Sequence, residues 1–339
     1  MDLSIIVAFC GEYPQSLFTL QSLNQNLIDS NVKYEIIAAN NYCQQVKDQC
    51  YMAMANQFQK IRSSTFSTSL MADCQKAIKP MFEDKSGEAI KASEKLNHWL
   101  KYIEHDGWLS HWEAKRLAVE RSQGKYLLFV DAHTIPSHNA IPKMLQCFIA
   151  NDLDKKGTIH LPLTYKILES HKLIYKLKVE NRYFYSYSFT GFRPENDPYE
   201  VPCMSTCGMM ISRKLYDQIG GWPKGMSSYG GGENFLNYTL SVIGKKKFIY
   251  PFATLYHHGE TRDYHWDYSG FIRNRMIAHY LFGGQKLLDL FTSITKGKPN
   301  ILEKIKNSVI PEQYDQRQLI KKQQIIEIDQ WANDWTMNI

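Results

Sequence analysis

Asp131 and His133 stand two residues apart at the end of the apolar run KYLLFVDAHTIP. On an extended segment, residues two apart face the same side, so a carboxylate and an imidazole so placed can reach one ion. That donor pair suits Mn2+ or Mg2+ held jointly with phosphate oxygens. Taken alone, the pair also fits an ordinary strand-ending turn with a surface histidine. Two further groups weigh against that plain reading. SSYGGGENFLNYTL sets Gly230, Gly231 and Gly232 before Glu233 and Asn234, and KKFIYPFATLYHH ends on His257 and His258. A glycine run lets backbone approach a ligand closely, and a glutamate opening a helix is favoured in its ionised form; the bland alternative is a glycine turn with a capping carboxylate. A two-metal phosphatase or nuclease would gather more carboxylates than these.

The elements that must position these residues alternate strand and helix. LSIIVAF, then PQSLFTLQSLNQNLI at helical spacing, then KYEIIAAN, predict the opening of a parallel α/β sheet. Residues 44–104 predict helices over the sheet edge. A helix over about 110–123, stopped by Gly124, feeds the strand KYLLFV, and ligands of open α/β sheets bind where such strands end. A helix near 139–151, the strand-like GTIHLPLTY, the strand–helix–stop of CGMMISRKLYDQIGGW, a helix over 233–243, one last strand in KKFIYPFATLYHH and a helical run from 266 follow. No repeat or low-complexity linker divides the chain.

Composition narrows the class. The chain has 339 residues, 44% hydrophobic and 22% charged, as in ordinary globular proteins, with a formal charge of +6 that is compatible with a phosphate-bearing ligand without demanding one. Cys10, Cys43, Cys50, Cys74, Cys147, Cys203 and Cys207 are odd in number and lack CxxC spacing, so neither a disulfide framework nor a structural zinc is indicated. No stretch has the length and apolarity of a membrane span or the pattern of a signal peptide, and a cytoplasmic location is expected, in a bacterium or a virus-infected host cell.

In order, LSIIVAFCGEYPQSLFTLQSL, KYLLFVDAHTIP, PYEVPCMSTCGMMISRKLYDQIGGW, YGGGENFLNYTLSVIGKKKFIYPFATLYHH and RNRMIAHYLFGG resemble the GT-A glycosyltransferases, most closely the polypeptide N-acetylgalactosaminyltransferase branch. The resemblance spans residues 3 to about 284. It implies a Rossmann-like α/β fold with a mixed central sheet flanked by helices. It also implies a catalytic domain over 1–284, with a helical insertion at 44–104 and an acceptor-side segment at 165–200, and then a helical extension over 285–339. It further implies a nucleotide-sugar donor, a UDP-sugar above all, held through a divalent metal by Asp131, His133 and His257, with His258 as the alternative third ligand. Ala8 and Phe9 would border the nucleoside, Glu12 matches the glutamate of the same loop, and Gly231 and Gly232 would line the donor. Arg262 would meet the pyrophosphate, and Glu233 and Asn234 would face the sugar and the acceptor hydroxyl.

Where the family carries an aspartate to read the base, this chain has Asn40 followed by Asn41, and an amide can pair with uracil or cytosine. The tryptophan before the glycine loop is replaced by Gly230, with Tyr229 one place earlier. No membrane anchor or lectin domain is expected. Inverting β-galactosyltransferases carry an aspartate base directly after the glutamate; here that place holds Asn234, which cannot be a base, so either Glu233 takes that role or configuration is retained with the leaving phosphate accepting the proton, and retention is the expectation favoured.

YKILESHKLIYKLKVENRYFYSYSFTGFRP, residues 165–194, interleaves Lys166, Lys172, Lys176, Lys178, Arg182 and Arg193 with Tyr183, Phe184, Tyr185, Tyr187, Phe189 and Phe192. Aromatics packing a β-ribbon with solvated charges outside account for it; so would a platform that stacks sugars or bases while its cations hold phosphates. The acceptor is therefore expected to be a hydroxyl of a saccharide or protein, or of a hydroxylated base in phage-type DNA. The same fold as a non-catalytic nucleotide-sugar-binding module is the alternative from another class.

Overall fold

The computed structural model describes residues 1–44, 46–47, 85–165, 172–180, 184–258 and 266–337. In chain order the elements are β1 (Leu3–Phe9), α1 (Gln15–Leu27), β2 (Tyr34–Asn40), α2 (Lys85–Glu94), β3 (Leu100–Glu104), α3 (His111–Glu120), β4 (Tyr126–Asp131), β5 (Thr134–Pro136), α4 (Ala140–Ala150) and α5 (Leu153–Lys156). Then come β6 (Gly157–His160), β7 (Leu163–Thr164), β8 (Leu173–Glu180), β9 (Phe184–Gly191), β10 (Tyr199–Glu200), β11 (Met209–Ser212) and α6 (Arg213–Gln218). The chain continues through α7 (Gly232–Val242), β12 (Lys246–Ile249), β13 (Leu255–His257), α8 (Tyr268–Ile294), α9 (Pro299–Lys321) and α10 (Ile328–Met337).

The larger sheet runs β10-β12-β6-β11-β4-β1-β2-β3 and is mixed: β1 is parallel to β2 and β4, and β11 is antiparallel to β4 and β6. Both its faces are covered, which is why its central strands read as unbroken apolar runs. Along β1, Ile6 and Ala8 join one core with Phe129 of β4 and Trp112 of α3, while Ile5, Val7 and Phe9 join the other with Leu20 and Leu23 of α1. Fully burying each such side chain is worth about 1.5–3 kcal/mol. The first of these cores also takes in Leu288 and Phe291 of α8, Val309 of α9 and Ile328 of α10, so residues beyond 284 pack against the same centre as those before it. Helix α8 runs across that position with a break in its helical backbone at Gly284.

Two predicted elements differ. KKFIYPFATLYHH forms two strands: Pro251, which has no N–H for a ladder, lies in the turn between β12 in the larger sheet and β13 in a smaller sheet ordered β5-β13-β7-β8-β9. The 44–104 stretch contains the edge strand β3, which buries Leu100 and leaves Lys101, Tyr102 and Ile103 half covered, so its pattern carried little apolar signal. The predicted helices at 48–84 lie outside the described residues.

Candidate active site

β1 and β4 run side by side and end together, with Ala8 beside Asp131 in the register. Beyond their ends lies a cavity of about 480 Å3 lined by Ala8, Phe9, Glu12, Asp131, His133, His257, Gly231 and Glu233 among others. His257 arrives from a different sheet. β13 pairs antiparallel with β5, opposing His257 to Thr134, and the His258 N–H donates to the His133 carbonyl at 2.9 Å. Ligand-type atoms of Asp131, His133 and His257 thereby lie within 4.8 Å of one another. His258 points its Nδ1 to the Tyr256 hydroxyl at 2.9 Å and is not in that group.

The local electrostatics are strong. Asp131 Oδ2 is 3.3 Å from His257 Nε2, and Oδ1 is 3.1 Å from Nζ of Lys115, whose side chain is only 3% exposed. Burial works against the Asp131 charge, but the Lys115 ammonium and the two imidazoles outweigh it and hold the carboxyl well below the usual carboxylate range. Glu12 Oε1 lies 2.6 Å from His133 Nδ1, while its Oε2 accepts from the Cys10 N–H at 3.1 Å. A carboxylate behind one ring nitrogen fixes the tautomer and leaves the Nε2 lone pair for a cation, as around bound metals. The Nδ1 of His257 is buried without a hydrogen-bond partner among the described residues. One carboxylate and two imidazoles, with His257 turning its Nε2 towards Asp131, fit a divalent ion.

Another part of the cavity wall belongs to Glu233. Its Oε1 accepts from the Thr206 hydroxyl at 2.7 Å and its Oε2 from the Tyr187 hydroxyl at 3.3 Å. Tyr187 stacks on Tyr175 with ring centroids 4.7 Å apart, and burial followed by the Glu233 charge pushes both phenols well above their ordinary value. Arg275 lines the same wall. The glycine run is dictated by packing as much as by any ligand. Gly231 has φ 80°, and a Cβ there would fall 2.6 Å from the Asn274 backbone; a Cβ at Gly232 would fall 2.0 Å from the Trp112 ring. Asn274 holds the loop by donating to the carbonyls of Ser227, Tyr229 and Gly230 at 3.0, 2.9 and 3.0 Å.

Several residues singled out in the sequence sit differently from expectation. Asn40 is buried and does not line the cavity; its Nδ2 donates to the Tyr102 hydroxyl and its Oδ1 accepts from the Tyr42 N–H. Asn41 does line it, yet its amide ties down the carbonyls of His105 and Trp108 and the Ser110 N–H. Gly232 packs behind the wall against Trp112. Asn234 reaches the cavity, but its Nδ2 donates to the Tyr185 carbonyl at 2.8 Å, fastening β9 to α7. Arg262 lies outside the described residues. Lys115, Thr206 and Asn274 were missed. Lys115 left a signal, since it shares a helix face with the buried Trp112, Ala118 and Val119, where a charge is out of place unless paired.

Residues 83–220 match the profile of glycosyl transferase family 2. Comparison with curated proteins gives no match. Among solved structures, GalNAc-T7 with UDP, GalNAc and Mn2+ aligns at 14% identity and TM-score 0.58, over 93% of this chain and 57% of that one. S. aureus TarS 1-349 in complex with UDP-GlcNAc aligns at 10% identity and TM-score 0.49, over 93% and 73%. The chain thus spans little more than half of the GalNAc-T7 structure, and at this identity the likeness is one of fold. A GT-A-like α/β fold carrying a glycosyl transferase family 2 segment is what the chain presents, and together they support a glycosyltransferase.

Proposed function

We propose that the chain moves a sugar from a nucleotide-sugar donor, a UDP-sugar, to a hydroxyl acceptor with the help of a divalent cation held by Asp131, His133 and His257. The observation that carries this is the convergence of those three side chains in one cavity that Glu233 also lines. The GalNAc-T7 structure, bound to UDP and Mn2+, supports the same choice of donor and ion. Such a cation, when bound, offsets the charge that develops on the departing diphosphate. The chain supplies the rest. Glu12 orients His133, Lys115 adds a fixed positive charge beside Asp131, and Ala8 and Phe9 border the nucleoside end. Glu233, gripped by Thr206 and Tyr187, faces the sugar and the incoming hydroxyl. With the Asn234 amide engaged by Tyr185, no second side chain among the described residues is placed beside Glu233 as a base, which favours retention with the diphosphate taking the acceptor proton. Arg262 is kept as a candidate for the pyrophosphate, a cytoplasmic setting belongs to the same reading, and among GT-A branches the DxH and GGEN elements favour the polypeptide N-acetylgalactosaminyltransferases.

The acceptor we favour is a saccharide. Tyr165, Tyr175, Tyr187 and Phe189 turn into the cavity, whereas Lys176 and Lys178, which would hold nucleic-acid phosphates, are exposed and do not line it. Among the described residues, these two lysines of the hairpin thus stand apart from the rings that could stack. DNA affinity that falls steeply with salt in a filter-binding series would reinstate the hydroxylated-base acceptor. The central test is nucleotide release from UDP-, GDP- and CDP-sugars with Mn2+, with and without EDTA, followed by the anomeric configuration of the product. Metal-dependent release from a UDP-sugar with retention is expected; release from none of them would leave a binding module.

A further inference from the structure

The C-terminal segment packs on α7, the helix that carries Glu233, and among the described residues none beyond Arg275 lines the cavity. The N–H groups of Ile325 and Ile326 donate at 2.9 and 3.3 Å to the carbonyl of Val242, the last residue of α7, whose first turn carries Glu233. Trp331 of α10 lies 4.6 Å from Nζ of the buried Lys247, which donates to the Asn237 carbonyl of α7 at 3.1 Å. The first turn of α10 carries Asp329, whose Oδ1 accepts a hydrogen bond from the Tyr185 hydroxyl. Tyr185 is 1% exposed and receives the Asn234 amide on its carbonyl; two residues on, from the same face of β9, Tyr187 donates to Glu233.

We propose that Asp329 is a positioning residue of the active site, acting through Tyr185 to fix β9 against α7 so that Tyr187 and Tyr175 meet Glu233. A buried phenol needs a partner for its O–H, and a carboxylate at a helix N-terminus is a strong one because the helix dipole favours its charge. Without it, the Tyr185 hydroxyl must turn or draw in water, and β9 shifts where it carries the Glu233 contact. The role in turnover rests on the reading of Glu233 given above; the brace itself does not.

The test uses the whole chain with Asp329→Ala, Asp329→Asn and Tyr185→Phe. Mn2+-dependent hydrolysis of a UDP-sugar, with water in the acceptor's place, is measured beside UDP affinity by calorimetry and amide exchange over 173–180 and 184–191. Asp329→Ala and Tyr185→Phe are expected to lower kcat about 3- to 10-fold, the range for losing one hydrogen bond, with UDP affinity kept. Asp329→Asn, whose amide oxygen still accepts the hydroxyl, restores the rate, and exchange quickens only in the two β-segments for Asp329→Ala. Wild-type kcat in Asp329→Ala, UDP affinity falling in step with kcat, or an Asn variant as slow as Ala overturns the proposal. Should the wild type hydrolyse none of the UDP-, GDP- or CDP-sugars, the enzymatic reading falls by itself. Exchange then decides the brace: quickening confined to β8 and β9 upholds it, and unchanged or uniformly faster exchange sinks it.

Discussion

Asp131 divides its two oxygens between an ammonium and an imidazole, Lys115 on one side and His257 on the other. A carboxylate so held keeps its charge and its direction before any ion arrives, and removing it strands a buried lysine. Asp131→Ala is therefore expected to abolish metal-dependent turnover and to destabilise the fold by a few kcal/mol, the usual cost of leaving a buried charge alone. His257→Ala removes a ligand without stranding a cation and should abolish turnover with thermal stability nearly unchanged; full activity in His257→Ala would show the ion to be elsewhere. Glu233→Gln keeps the shape of the side chain, with its amide oxygen accepting from one of the two hydroxyls and its NH2 donating to the other hydroxyl oxygen, so donor affinity by calorimetry should hold while transfer slows. Lost donor affinity would reassign Glu233 to donor binding.

At the scale of elements, the site depends on how closely the loop before α7 approaches α3 and α8. Trp112 occupies the space a side chain at 232 would need, and the Asn274 backbone occupies that at 231. Gly232→Ala is expected to cost about 1–3 kcal/mol or more in urea unfolding, since overpacking against a rigid ring cannot be relieved by a rotamer change. A variant as stable as wild type would mean that the loop has room the packing denies. Asn274→Ala leaves loop carbonyls without their shared donor; about 1–3 kcal/mol is expected to be lost, with weakened UDP-sugar binding because Tyr229 to Gly231 line the cavity. One face of β9 serves two ends: Tyr185 packs into the core, and Tyr187 and Phe189, farther along the same face, line the cavity.

At the scale of the whole molecule, two histidines among the described residues, His160 and His279, are buried as neutral groups. Burial drives His160 down to about 4, and burial with the nearby Arg275 charge drives His279 down to about 3. An unfolded chain takes up these protons near pH 6.5 while the folded one refuses them, so stability should fall as pH drops from about 6.5 towards about 4, by a few kcal/mol, and no further from His160 below that. Urea unfolding at pH 7 and 4.5 measures it. His160→Gln should flatten the slope, and an equally steep slope in that variant would place the titration on other groups.

Much of this was legible in the sequence wherever the physics is local. The apolar runs of β1, β2 and β4 are long because both sheet faces are covered, and the helical spacing before them is regular; Asp131 and His133 do meet, but across the turn at 132–133 between β4 and β5 and not by the period of an extended segment. The edge strand β3 escaped because half-covered residues leave no clear period. Which histidine completes the set, the distance from Asn40 to the cavity, the pairing of Lys115 and the grip of Asp329 on Tyr185 join residues from 16 to 144 positions apart. Strand register and sheet order create those contacts, and neither is written in any short stretch: His257 reaches Asp131 because β13 lies antiparallel to β5, a choice made only when the two sheets pack.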